Sequence, residues 1–440
     1  MVAEGRMPHN QHLQQHPQRV ALHNEIHARP PEAMSAPLAI SHVVMACDAT
    51  ERDASRAHVA ALLRDHHLPQ PDALSTHLRM DLTSFRLRWE LHTEFVTWTF
   101  MRPLEADAGS TLAGEREPPT AATAVPQDWL SRLPGRCLVS LHLWVLPTRG
   151  FGTDSLAKHL LHEDTLVAST VADGHGEVYT DFAIHADGFS RMVLLAGSVT
   201  PRRLGRLVQG LLEIETYRMA ALLGLPAARE AAAVLAFAER ELAELAESIR
   251  AAASNDEPQL LDRLTRLAGQ VESQYAATHS RFSASAAYFE LVDRRIDDIA
   301  ESRLAGLQTI REFMDRRLTP ARSTCEWATR RQDALSQRVS RMSNLLRTRV
   351  EIEQQQSSQA LLGAMNRRQG LQLKLQSTVE GLSVAAITYY IVGLVSYLAK
   401  GAEKLGWPWS PESTAACAIP VVALGVWWSM RRLHRRLFKD

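Results

Sequence analysis

The sequence predicts an α+β protein: an N-terminal α/β domain, a long helical neck and stalk, and a C-terminal hairpin of two transmembrane helices. Three observations carry this expectation. Apolar residues alternate with period two in several stretches before residue 200. Apolar steps of three and four replace them after Pro201. Near the end of the chain, Leu382–Ala399 and Ser413–Met430 each hold 18 residues without a charge. The 440 residues allow two or three structural units at roughly 100–200 residues each.

The boundaries read as a polar leader over 1–35, the α/β domain over 36–200, a helical neck over 201–320 and a stalk helix over 321–380. A first transmembrane helix over 381–399, a short loop over 400–412, a second over 413–430 and a basic tail over 431–440 complete the chain. The leader has no apolar core of its own, so no cleavable signal peptide is expected. In the α/β domain Cys137, Val139, Leu141, Leu143 and Val145 alternate, the pattern of a strand. Leu78, Met80 and Leu82 alternate, and Phe85, Leu87, Trp89 and Leu91 continue with a slip of one residue that suggests a bulged strand. Val96, Trp98 and Phe100 form another. Val178, Thr180, Phe182 and Ile184 precede Asp187-Gly188 and then Met192–Ala196, which predicts a hairpin. Helices fit at about 50–67 and 153–168, and the Ala-, Gly- and Pro-rich stretch 103–128 reads as a long loop.

In the neck, Leu235, Ala238, Leu242, Leu245 and Ile249 make one amphipathic stripe, and Leu260, Leu264, Leu267 and Val271 make a second. Val292, Ile296 and Ile299 continue the step, and Ile310 and Met314 are spaced by four. Pro226, Pro258 and Pro320 punctuate these runs, and Asn255-Asp256-Glu257-Pro258 is a good helix start. From 321 to 398 no proline intervenes, so a single helix of about 115 Å is expected at 1.5 Å per residue. Leu335, Val339, Met342, Leu346 and Val350, then Leu371, Leu375, Val379 and Leu382, are its apolar stripes. Such a stalk needs partners along its length, either earlier helices or further copies, so a homo-oligomer is expected.

Charge sets the orientation. Net charge is zero, with 49 basic and 49 acidic residues, which argues against a nucleic-acid partner. After Glu380, however, seven Lys/Arg face three Asp/Glu. Five of these positive charges, Arg431, Arg432, Arg435, Arg436 and Lys439, lie in the final ten residues and mark a cytoplasmic end. Two spans return the chain to its starting side, so both termini and the body are expected in the cytoplasm, with the lipid bilayer as a partner. Trp407, Trp409, Trp427 and Trp428 match the aromatic belts of membrane interfaces. Four unpaired cysteines, at 47, 137, 325 and 417, agree with a reducing compartment.

Candidate chemistry is sparse. His23, Glu25 and His27 could ligate a divalent cation, or Arg29 and Glu25 could tie this segment to the body by hydrogen bonds. Asp173, His175 and Glu177 could converge on one side of a strand, or mark a turn. Ser383, Tyr390 and Tyr397 recur every seven residues on one face of the first span. In a ring of identical helices they would line a narrow polar path; Gly393 and Ser396 offer the alternative of a close helix-packing seam. No Walker loop, dinucleotide fingerprint, nucleophile elbow or zinc-protease motif occurs, so no enzyme and no organic cofactor is expected.

Three long motifs carry a resemblance. They are Ala21-Leu22-His23-Asn24-Glu25-Ile26-His27-Ala28-Arg29-Pro30-Pro31, then Leu345–Val350 with Ala364–Arg368, and Thr378–Tyr390. Together they resemble an uncharacterised bacterial family of membrane-anchored proteins, a domain of unknown function covering nearly the whole chain. The resemblance implies anchoring through the two spans and brings no catalytic residue. The architecture alone is also similar to CorA-type divalent-cation channels, which are homopentamers. Their Gly-Met-Asn signature is absent where it should stand, at Leu398–Glu403. The expected role is therefore an oligomeric scaffold or sensor at the inner membrane, with a CorA-like channel as the alternative.

Overall fold

A computed structural model of the chain describes residues 14, 16–20, 22–23, 31–73, 75–105, 117–147, 159–251, 256–403, 406 and 408–437. The described residues divide between two compact units, one from 1–247 and 263–341, the other from 248–262 and 342–440. The first is built on a sheet of nine strands: β1 (Leu38–Ala46), β2 (His77–Asp81), β3 (Arg86–Leu91), β4 (Phe95–Pro103), β5 (Arg136–Leu146), β6 (Val167–Val171), β7 (Gly176–Ile184), β8 (Ser190–Leu195) and β9 (Ser302–Arg303). Their order is β2-β3-β4-β1-β5-β8-β7-β6-β9, so β2 and β9 form the edges. Every pairing is antiparallel except β5 with β8.

Both faces of the sheet are covered, which explains why its strands carry apolar residues on both sides. Against one face lies α1 (Ala49–Asp65), started by a capping box in which Asp48 accepts the Glu51 N–H and Glu51 accepts the Asp48 N–H. Val59 and Leu62 of α1 pack with Trp89, Trp98, Phe100 and Trp144. The other face meets α3 (Pro201–Leu222), after a short α2 (Gln127–Leu130). Leu204, Leu207, Val208 and Leu211 of α3 bury against Ile40, Val44, Leu143 and Leu194.

The rest is helical: α4 (Gly224–Ala251), α5 (Glu257–Asp298), α6 (Ile310–Glu403) and α7 (Pro411–Leu437). Within the first unit the expected stripes are buried, including Leu235, Ala238, Leu242 and Leu245 of α4, Leu264, Leu267 and Val271 of α5, and Leu335 and Val339 of α6. Polar ties accompany them. Arg331 holds Glu239 through two hydrogen bonds of 2.7 and 2.5 Å, and Gln332 Nε2 donates to Thr278 Oγ1 at 2.8 Å. In the second unit Arg349 donates to the Ile249 carbonyl at 3.1 Å and pairs with the buried Glu257 carboxylate. That pairing follows the demand that a buried charge be matched.

The structure corrects several expectations. The stretch 78–91 is not one bulged strand: β2 and β3 form a hairpin closed by the Leu82 N–H donating to the Phe85 carbonyl at 2.9 Å. Four residues suffice to reverse the chain, and a slip in alternation looks the same for a bulge and a tight turn. Of the helix expected at about 153–168, residues 153–158 lie outside the described residues; His159 is helical, and a 3₁₀ turn at Glu163–Thr165 then leads into β6. The loop predicted over 103–128 contains a 3₁₀ turn at Ala122–Ala124 and the start of α2; 106–116 lie outside the described residues. Pro320 does not divide neck from stalk, because α6 runs through it. Buried Leu318, Ala321 and Cys325 on either side hold the helix together against the roughly 3 kcal/mol an interior proline costs.

Candidate functional site

Three helical stretches are long and apolar enough to cross a membrane: Pro201–Ala251, a part of Ile310–Glu403, and Pro411–Arg432. They differ in what surrounds them. The α3 residues of the first are committed to the sheet, so that stretch has no need of lipid. The end of α6 and α7 have no such cover. Leu382 is 74% exposed and Val421 is 70% exposed, and no residue of the α7 window is buried. Arg431 and Arg432 stack their guanidinium groups over Trp427 and Trp428 at 4.9 and 5.0 Å. That pairing of ring and cation suits the boundary between hydrocarbon and headgroups.

Among the described residues Ser383, Tyr390 and Tyr397 share no common partner. The Ser383 hydroxyl donates to its own helix at the Val379 carbonyl, 2.8 Å away, and both tyrosines are exposed. Gly393 faces open space, so among the described residues the packing seam also has no partner. Of the N-terminal motif, Asn24, Glu25, His27, Arg29 and Pro30 lie outside the described residues, while His23 and Pro31 are exposed. Just beyond it, Glu32 pairs with Arg79 and Arg86 at 3.7 and 3.3 Å, and the Met34 N–H donates to the Pro201 carbonyl at 2.9 Å.

Asp173, His175 and Glu177 do not converge. They flank the β6–β7 turn, where Asp173 and Gly174 hold positive φ of 56° and 83°. Each has a different partner: Asp173 pairs with Arg203, His175 Nδ1 lies 2.8 Å from Ser198 Oγ, and Glu177 accepts from the Tyr179 hydroxyl at 2.6 Å. Three of the four thiols are poorly placed to act as nucleophiles. Burial raises the pKa of Cys47, to about 11, and also raises those of Cys137 and Cys325, which keeps them protonated.

Two polar features inside the α/β body escaped the sequence. The first is a buried layer beneath α3. His42 Nδ1 lies 2.8 Å from Thr99 Oγ1 and its Nε2 lies 3.1 Å from Thr216 Oγ1. Burial, aided by Arg88 and His92, pushes the His42 pKa down to about 3. Nearby, Arg88 donates twice to Glu90 Oε1, at 2.9 and 2.7 Å. On the opposite face His142 touches Ser41 at 2.9 Å and is lowered by burial to about 4, despite Asp187 at 3.8 Å. These are neutral, satisfied core histidines.

The second feature is built by a bulge. The register of β7 on β8 shifts between Thr180 and Ile184, and Phe182 takes a positive φ of 52°. This kink turns Asp181 and His185 toward the segment before β6, where His162 stands. The Asp181 carboxylate is wholly buried, at 0% exposure. Its Oδ2 accepts the His162 N–H at 2.9 Å and lies 3.1 Å from His162 Nδ1 and 2.8 Å from His185 Nε2. Its Oδ1 accepts the Ala183 N–H at 3.1 Å. The two imidazoles stack with centroids 4.5 Å apart and planes at 5°. His185 is 9% exposed and His162 is 57% exposed, so the cluster opens to solvent on one side. The sequence carried no signal for it, since the contact depends on a break in the regular alternation of β7.

No curated protein and no solved structure matches the chain, which gives the likeness to CorA-type channels no support. A family model does match. It covers residues 14–437, and the chain belongs to the family it describes, a protein of unknown function (DUF3422).

Proposed function

We propose that this is a membrane-anchored protein that displays its α/β body on the cytoplasmic face of a bacterial inner membrane and self-associates there as a scaffold or sensor. The carrying observation is the uncovered apolar surface of the α6 end and α7. In an 18-residue window of α6 the mean hydropathy reaches 1.8, yet only 11% of that window is buried. Roughly 20 apolar residues of helix suffice to cross a bilayer core of about 30 Å. Arginines after Met430 and tryptophans beside them support a cytoplasmic C-terminus. Self-association is supported by apolar side chains that stay exposed before the first span: Leu361, Leu362, Met365, Leu371, Leu373 and Leu375. Left uncovered in water, such a run is the kind of surface that takes a partner.

The test is extraction and topology of the full chain. Membranes carrying it should retain it in alkaline carbonate, and a C-terminal tag should be reached by protease only after the inner membrane is opened to the cytoplasmic side. Light scattering in detergent should give more than one copy per particle. A chain that stays monodisperse in plain buffer, or a tag accessible from the periplasm, would refute the proposal.

A further inference from the structure

We propose that His162, Asp181 and His185 form a binding site for a divalent first-row transition-metal ion of the zinc class. The three donor atoms, His162 Nδ1, Asp181 Oδ2 and His185 Nε2, lie within 4.8 Å of one another. Zinc holds imidazole nitrogen and carboxylate oxygen at about 2.0–2.2 Å, which in a tetrahedral shell sets the donors roughly 3.3–3.6 Å apart. The carboxylate–imidazole separations of 2.8 and 3.1 Å therefore need to open by about half an ångström, and the stacked rings must splay so that the plane of each contains the ion. Two imidazoles and one carboxylate favour zinc, iron, cobalt or copper over calcium and magnesium, which take all-oxygen shells.

The surroundings look assembled for ligation. The bulge in β7 places Asp181 and His185 on the same side, and bulges commonly re-aim side chains at functional sites. The Ala183 N–H fixes the second carboxylate oxygen, as outer partners do for metal-bound carboxylates. Two imidazole nitrogens meet one oxygen of a fully buried carboxylate, so all three donor atoms face a common point that a shared cation can occupy. The half-exposed His162 leaves a fourth position to water, so the shell would have three protein ligands and one exchangeable place. This site lies wholly within the α/β body and stands independently of whether the C-terminal helices lie in lipid.

The experiment uses the full chain in detergent, stripped with EDTA. Cobalt(II) is titrated in and followed by its visible ligand-field bands, and zinc(II) affinity is read by competition with a chromophoric chelator. The expected result is one metal per chain, with cobalt bands bleached by zinc. His162→Ala and His185→Ala should each weaken zinc binding by about 100-fold or more, since even outer-partner changes typically cost 10–100-fold. His162 is exposed, so its alanine variant should fold, and an unchanged thermal midpoint without metal verifies this. His175→Ala in the neighbouring turn, and alanine at His9, His12 and His16, should leave the affinity unchanged. Absent cobalt bands, or affinity that survives His162→Ala and His185→Ala but falls with the N-terminal histidines, overturns the proposal and leaves the cluster a hydrogen-bonded turn.

Discussion

An arginine placed at Ile391 tests the reading of the α6 end as a lipid-borne helix. Leu382–Ala399 spans about 27 Å at 1.5 Å per residue, and its midpoint falls between Tyr390 and Ile391. Position 391 is thus within about 1 Å of the bilayer centre along the axis, if the span is centred in the core. Isoleucine there favours insertion by roughly 0.3–0.6 kcal/mol, and arginine opposes it by about 2.5–3.5 kcal/mol. The exchange costs about 3–4 kcal/mol, which at 1.4 kcal/mol per decade is roughly a 100- to 1,000-fold shift against insertion. Ile391 is 36% exposed. The assay replaces the four native cysteines, adds Ser410→Cys in the connecting loop and labels intact cells with a membrane-impermeant thiol reagent. The parent should label from the periplasm, and the Ile391→Arg chain should lose most of that signal. Gln372→Arg, on the exposed stalk outside the span, is the control and should label like the parent. Equal labelling of parent and Ile391→Arg would refute the assignment of this segment to the hydrocarbon core.

Other expectations follow from the body and the spans. A Cβ at Gly205 would sit 1.6 Å from the Glu32 carbonyl oxygen, so Gly205→Ala must push the 32–34 strap off α3 and should lower stability by about 1–3 kcal/mol, read as a fall in the thermal midpoint. His42 and His142 titrate at about 3 and about 4 in the folded chain, against 6.5 when exposed. The unfolded chain therefore binds more protons below pH 6.5, so stability is full above that pH and declines as pH falls toward 4 and then 3. Each pH unit between folded and unfolded values is worth about 1.4 kcal/mol per site. Thermal midpoints from pH 7.5 to 5 should drop, and His42→Gln should make the drop shallower; an unchanged slope would remove His42 from the account. In liposomes the chain should pass neither Mg²⁺ nor Co²⁺, with Ser383→Leu indistinguishable from the parent. A pentamer whose flux falls on that substitution would replace the scaffold reading with a channel.

The parts of the fold that the sequence disclosed are those where one physical signal dominated. Strict alternation in Cys137–Val145 identified β5, and the Asp187-Gly188 turn between two alternating runs identified the β7–β8 hairpin. Stripes such as Leu235 to Leu245 announced α4, because charged backs faced water. The interior strand β1 went unnoticed: Leu-Ala-Ile-Ser-His-Val-Val-Met-Ala has no alternation, since both faces of that strand are covered. For the same reason its His42 and Ser41 gave no hint that they were core residues. β6 is short and apolar, and a run of that kind does not distinguish strand from helix. The cluster around Asp181 was illegible because it depends on a bulge that brings residue 162 beside residue 185. Short-range pattern contains neither the bulge nor that contact.

The two rims of the sheet are short and charged. β2 offers Arg79 and Asp81 along a five-residue stretch, and β9 is only two residues long and ends in Arg303. Charged side chains and short edges are how natural sheets refuse another strand. The body thus presents no adequate template for growth by strand addition, and crowding many copies on a surface should not seed fibres through this sheet.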